Sequence, residues 1–220
     1  MTESAGAFRR DVQGLRALAV LGVVLYHVDR FLAGGFVGVD VFFVISGFVI
    51  AGSLLRRSEG SGRVGLGDFY RRRATRILPA LIVFIAGSFP IVLLGPAATL
   101  ESGMRTAAAA VGFVANMQLV AIEDSGYFSA EAELNPYLHL WSLSVEEQFY
   151  LAFPLLVMFG LWRGRGGADR ALSRILQLAT FGSFLLMVAT IGVGRLDAAF
   201  FLAPTRAWEF LAGALLAVGA

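Results

Sequence analysis

The chain has 220 residues, 57% of them hydrophobic and only 15% charged, with a mean hydropathy of +0.73. That balance lies outside the range of ordinary soluble domains and marks an integral membrane protein. A formal net charge of +2 is too small to argue for a nucleic-acid partner, and the absence of cysteine excludes a disulfide framework, a thiolate metal site and a thiol nucleophile.

All eighteen basic residues are arginine, because the sequence contains no lysine. Schiff-base and P-loop lysine chemistry is excluded, while guanidinium forks for phosphate remain. No metal site and no bound cofactor are expected. Residues 1–13 are polar, with Arg9 and Arg10, and no small-residue cleavage site follows the next apolar run, so no cleavable signal is expected.

Apolar segments recur at 14–32, 37–55, 76–95, 104–122, 143–162, 175–193 and 206–220. They predict an all-α fold, a polytopic transmembrane bundle with about six or seven membrane segments in one domain over 1–220. Arginines cluster at 56–76 and 163–174, and Glu123, Asp124, Glu131 and Glu133 make an acidic loop between them. The positive-inside rule places the N-terminus and both arginine loops in the cytoplasm. Three full crossings between 76 and 162 would contradict that. We therefore expect 104–122, interrupted by Gly112, Asn116 and Gln118, to re-enter or lie along the interface, with seven simple spans as the rival. The last segment, at about 22 Å, is short for a full span, so the sequence reads as part of a larger fold.

The first segment carries Arg16 and His27. Eleven residues of helix rotate by about 1100°, which puts both on one face about 16 Å apart. Ionisable groups inside apolar spans are costly and mark functional sites. A buried histidine favours the neutral form that a general base needs; the plain alternative is an interfacial helix-end histidine. Arg16 could pair with Asp11, anchor to lipid phosphate or contact a donor, or simply snorkel.

In the second segment Asp40 and Gly47 share a helical face and Ser46 points elsewhere. Asp40 either orients His27 or a substrate, or caps the helix. Ser46-Gly47 allows close approach of another helix or a ligand; without a Gly-x-Ser-x-Gly elbow, Ser46 is not read as a nucleophile.

Next comes Phe69-Tyr-Arg-Arg-Arg-Ala-Thr-Arg-Ile-Leu-Pro79, with Arg72 and Arg76 on one face and Arg73 beside them. Such a face binds anionic headgroups or the phosphates of a soluble donor. In Asn135–Pro154, helical spacing lines up His139, Ser142, Glu146 and Tyr150 as a polar stripe, with Glu147 on a neighbouring face. Glu146 is the carboxylate expected to face a shared cavity, where it polarises His27, binds acceptor hydroxyls or senses a proton. Arg206 and Glu209, three apart, are placed to pair with each other.

Three stretches carry a family resemblance: Arg16-x10-His27 with Gly38-Val-Asp-Val-Phe-Phe-Val-Ile-Ser-Gly-Phe48, the arginine segment at 69–79, and Trp141-Ser-Leu-Ser-Val-Glu-Glu-Gln-Phe-Tyr150. Together they resemble the membrane acyltransferase 3 family of bacterial surface-glycan O-acyltransferases, specifically its N-terminal part, since such proteins have about ten spans. The resemblance implies a catalytic group of His27, Glu146 and Asp40. It also implies substrate-binding roles for Arg16, Ser46, Arg72, Arg73, Arg76, Trp141, Ser142, Tyr150, Arg206 and Glu209. The implied partners are acyl-CoA as donor substrate, a carbohydrate or glycolipid acceptor and the lipid bilayer, at the inner or plasma membrane. The expected reaction moves an acyl group, most often acetyl, to a carbohydrate hydroxyl. A proton-coupled transporter is the alternative, because His, Glu and Arg also build proton relays. Against it, the sequence shows no paired, broken helices in two corresponding halves.

Overall fold

The computed structural model describes residues 9–28, 31–61, 66–121, 134–163 and 168–219, and among them there is no strand. The acidic residues Glu123, Asp124, Glu131 and Glu133, together with Arg63 and Arg165, lie outside the described residues. The helices are α1 (Arg10–His27), α2 (Gly38–Ser61), α3 (Leu66–Leu93), α4 (Ala97–Val111), α5 (Ala115–Ala121), α6 (Leu140–Arg163), α7 (Ala168–Gly192), α8 (Leu196–Phe201) and α9 (Ala203–Gly219).

Among the described residues, four stretches are long and apolar enough to cross a membrane: Gly35–Arg56, Leu66–Leu93, Arg170–Gly192 and Leu196–Gly219. The expected six or seven segments are therefore matched only in part. α1 starts with Arg10 and Asp11 and contains Arg16, and α6 carries Glu146-Glu147-Gln148, so charge keeps both outside that set. The arginine segment is not a loop, either. Arg71, Arg72, Arg73 and Arg76 occupy the first turns of α3 itself.

Contacts fix the directions. α1 and α2 form an antiparallel hairpin: the Arg16 guanidinium lies over the Phe42 ring and that of Arg9 over Phe48, while Gly35 abuts Gly22 so closely that a methyl group would overlap its carbonyl. α2 and α6 run the same way, because Phe43 packs on Trp141 and Ser46 bonds to Glu146. α3 runs against α6. Phe84 meets His139, Arg73 meets Glu147, and the Tyr70 hydroxyl donates to the Leu151 carbonyl. The bundle thus has an arginine end, where α3 begins, and an opposite end holding His27 and His139.

α9 is driven into α2. Gly47 faces the Phe210 carbonyl and Gly213 faces the Val44 carbonyl, each with no room for a Cβ. Small residues permit this backbone approach where lipid supplies no hydrophobic drive between helices. Phe43, Phe149 and Phe210 stack beside the contact and make the centre of the main core, with Leu54, Trp141 and Phe153 around them.

Two elements are broken. α4 and α5 form a hairpin whose tip, Gly112–Val114, includes Phe113 in the left-handed region at φ 54°. Its mouth lies by Tyr137, against which Gly103 packs, in the turn before α6, and its tip lies by Gln148, about 12 Å along α6 from its first residue. The segment expected at 104–122 is thus a bent hairpin rather than one continuous helix, traced as far as Ala121. The second break separates α8 from α9 at Leu202. Among the described residues both breaks are tied to α6 through Asn116 and Gln148, the first of them at the Gly112 interruption that the sequence marks.

Candidate functional site

His27 closes α1, a position where a base complements the helix dipole. Its Nδ1 lies 2.8 Å from the Val23 carbonyl oxygen. A carbonyl only accepts, so Nδ1 carries a hydrogen, and in the neutral ring the lone pair is on Nε2. The ring packs edge-on against Tyr26 and is exposed, not buried as a membrane-core base would be. His139, in the turn before α6, lies at the same end of the bundle and within electrostatic reach of His27. His139 keeps much of its surface open, yet its ring packs edge-on against Phe84, and this crowding first, then His27, pushes the imidazole below its ordinary value.

Glu146 does not reach His27. Its Oε1 accepts from Ser46 Oγ at 2.9 Å and from the Tyr150 hydroxyl at 2.7 Å. This corrects the expectation that Glu146 polarises His27 directly: Glu146 points at α2, away from the His27 end. The stripe of His139, Ser142, Glu146 and Tyr150 holds at its lower half, while Ser142 Oγ donates to the His139 carbonyl. Glu147, one residue on, pairs with Arg73 at 2.6 Å, and the Arg73 guanidinium sits 3.5 Å from the centre of the Tyr150 ring. Arg73 is therefore engaged inside the bundle. Arg72 and Arg76 remain exposed at the arginine end.

Asp40 also turns from His27. Lying in the first turn of α2, it forms an ion pair with Arg206 of α9, whose other terminal nitrogen is 3.2 Å from Glu209. The expected Arg206–Glu209 pair is present, with Asp40 as an added partner, and Asp40 and Gly47 do share the face toward α9. Three rings, Phe200, Phe43 and Trp141, surround the guanidinium at 5.4–5.9 Å. Glu209 is 1% exposed and Arg206 9%. Among the described residues Glu209 Oε2 and Arg206 Nε have no hydrogen-bond partner. One cation faces two carboxylates here, a cluster whose desolvation offsets much of its attraction while the loss of any one partner leaves buried charge unpaired.

Arg16 does not pair with Asp11. The Arg9 guanidinium clasps that carboxylate at 2.6 Å and holds it down at about 2. Arg16 instead lies half-buried over Phe42. The sequence singled out Asp40, Ser46, Glu146 and Arg206 but not their pairings, which bridge 100 or more residues. It passed over Gln148 and treated Asn116 only as a helix breaker.

Two clusters thus lie at two depths, Asp40–Arg206–Glu209 and Ser46–Glu146–Tyr150 with Arg73–Glu147, and His27 stands beyond them at one end. A helical membrane protein with ionic groups held inside apolar helices is one built for chemistry or transport at membrane depth. The chain belongs to the acyltransferase 3 family, whose acyltransferase domain matches residues 9–219. It is 35% identical over 207 residues to O-acetyltransferase OatA of Staphylococcus aureus strains NCTC 8325 and COL, covering 94% of this chain and 34% of theirs. A further Staphylococcus aureus COL protein, provisionally named as an O-acetyltransferase, is 40% identical over 148 residues, covering 67% of this chain and 24% of that one. The chain spans about a third of the length of the curated relatives it matches. No solved structure matches it.

Proposed function

We propose that the protein is a membrane O-acyltransferase that moves an acetyl group from acetyl-CoA to a carbohydrate hydroxyl of a surface glycan or glycolipid, at the inner or plasma membrane. The observation that carries this reading is the family match over nearly the whole chain. The transporter alternative, raised by the His, Glu and Arg inside the spans, gains no support from the family match.

In this reading, His27 Nε2 removes the proton of the sugar hydroxyl as its oxygen attacks the thioester carbonyl. The C–S bond breaks, an ester forms, and coenzyme A leaves as a thiolate that takes up the proton. The hydrogen bond from Nδ1 to the Val23 carbonyl supports the assignment, because it leaves Nε2 basic. Glu146, Asp40, Ser46, Trp141, Ser142, Tyr150, Arg206 and Glu209 shape the path between donor and acceptor, with Arg73 as an internal brace. Arg16 lies along that path.

Arg72 and Arg76 are the donor's phosphate ligands, since they are exposed at the arginine end while Arg73 is occupied. Replacing both by alanine is expected to raise the KM for acetyl-CoA about tenfold or more, with kcat little changed. An unchanged KM at an equal protein level would sink the donor assignment.

A further inference from the structure

Three consecutive residues of α6 reach three different neighbours. Glu146 goes to Ser46 of α2, Glu147 to Arg73 of α3, and Gln148 to the tip of the α4–α5 hairpin. Gln148 Nε2 donates to the Phe113 carbonyl at 2.7 Å and to Asn116 Oδ1 at 2.8 Å. Asn116 Nδ2 donates in turn to the Phe201 carbonyl at 3.0 Å and to Gln148 Oε1 at 3.3 Å.

Phe113 and Phe201 mark the two helix breaks: Phe113 has the left-handed φ at the hairpin tip, and Phe201 ends α8. Helix ends leave carbonyls without their i+4 donors, and in an apolar medium these must find another. The two amides supply it for both breaks at once. Successive helical residues are about 100° apart, so the three polar contacts fan around α6 and oppose its rotation in either sense. A turn of about 20° would swing a carboxylate about 6 Å from the axis by about 2 Å, enough to break a 2.9 Å bond to Ser46.

We propose that Asn116 and Gln148 are positioning residues: their amide clasp ties both helix breaks to α6 and sets the rotation at which Glu146 and Glu147 meet Ser46 and Arg73. The proposal deepens the acyltransferase reading and rests on it for its kinetic consequence only.

The sequence has no cysteine, so cross-linking tests the clasp directly. Ser46→Cys with Glu146→Cys is joined across α2 and α6 by a short bis-methanethiosulfonate cross-linker, which replaces the length of the lost side chains that a direct disulfide could not span; Tyr26→Cys with Phe36→Cys, joined by the same reagent, is a control in the α1–α2 hairpin, where the rings are 5.5 Å apart. In membranes carrying the protein, Gln148→Met, similar in length but without the amide, is expected to lower the 46–146 yield several-fold and leave the 26–36 yield unchanged. In the cysteine-free background it should lower kcat about tenfold with the KM for acetyl-CoA unchanged. An unchanged 46–146 yield overturns the proposal. Where both pairs lose yield the bundle has come apart, and Asn116→Asp decides instead. It keeps the acceptor for Gln148 and removes the donor to Phe201, and an unchanged 46–146 yield in that variant also overturns the clasp. Absence of acetyl transfer by the unmodified protein would sink the acyltransferase reading while leaving the cross-linking result to judge the clasp.

Discussion

Arg206 is the residue on which the depth of this protein depends most visibly. It is nearly buried, shared by Asp40 and Glu209 and ringed by Phe43, Trp141 and Phe200. Removing one partner of a buried ion pair leaves uncompensated charge and costs about 3–5 kcal/mol. Arg206→Gln is therefore expected to lower the thermal midpoint of the detergent-solubilised protein by far more than Arg105→Gln, whose pair with Glu101 is exposed and worth under about 1 kcal/mol. Equal midpoints would mean that the triad does not hold α2 to α9. His139 gives a pH prediction. Its folded-state value lies below the usual histidine range of about 6.5, so the unfolded chain binds the proton more readily. Stability is then lost as pH falls through that ordinary value toward the depressed one. Unfolding midpoints at pH 7.5 and 5.5 should differ more for the wild type than for His139→Gln. A matching difference in both would remove His139 from the account.

At the scale of elements, the α2–α9 crossing is the tightest joint. A methyl group at Gly47 or Gly213 would overlap a backbone carbonyl that cannot rotate away. Gly47→Ala is expected to destabilise by about 1–3 kcal/mol through forced separation of the helices, whereas Gly87→Ala, which meets open space, should be neutral or slightly stabilising. Comparing the two unfolding midpoints checks this, and equal values would contradict the close packing. The sequence made Gly47 legible, because Asp40 and Gly47 fall on one helical face whatever that face meets. It also exposed the break near Gly112, since glycine and amides interrupt an apolar run. What it hid were the partners. Ser46 and Glu146 are a hundred residues apart, and no local pattern says that a serine in one span completes a carboxylate in another. Periodicity ranked Glu146 as inward and Glu147 as rim, yet both are engaged, because α3 covers the face that spacing alone left open. Span counting is matched only in part for a related reason: charges in α1 and α6 lower their hydropathy, and several of them, Arg16, Glu146 and Glu147, are covered or paired in the bundle.

Across the whole molecule, polar groups run from an exposed histidine at one end to an arginine face at the other, with two ionic clusters between. That distribution fits the proposed transfer from a donor on one side to an acceptor on the other, and the family to which the chain belongs is that of the acyltransferase domain. His27 stands apart from the carboxylates expected to steer it, so the base and the scaffold are separable by mutation. The direct measurement is transfer of radiolabelled acetyl from acetyl-CoA to membrane glycan, comparing wild type with His27→Ala at equal protein levels. The account predicts labelled glycan in the wild type and a loss of about 10²-fold or more in His27→Ala. Equal labelling in both would contradict it and take His27 out of the mechanism.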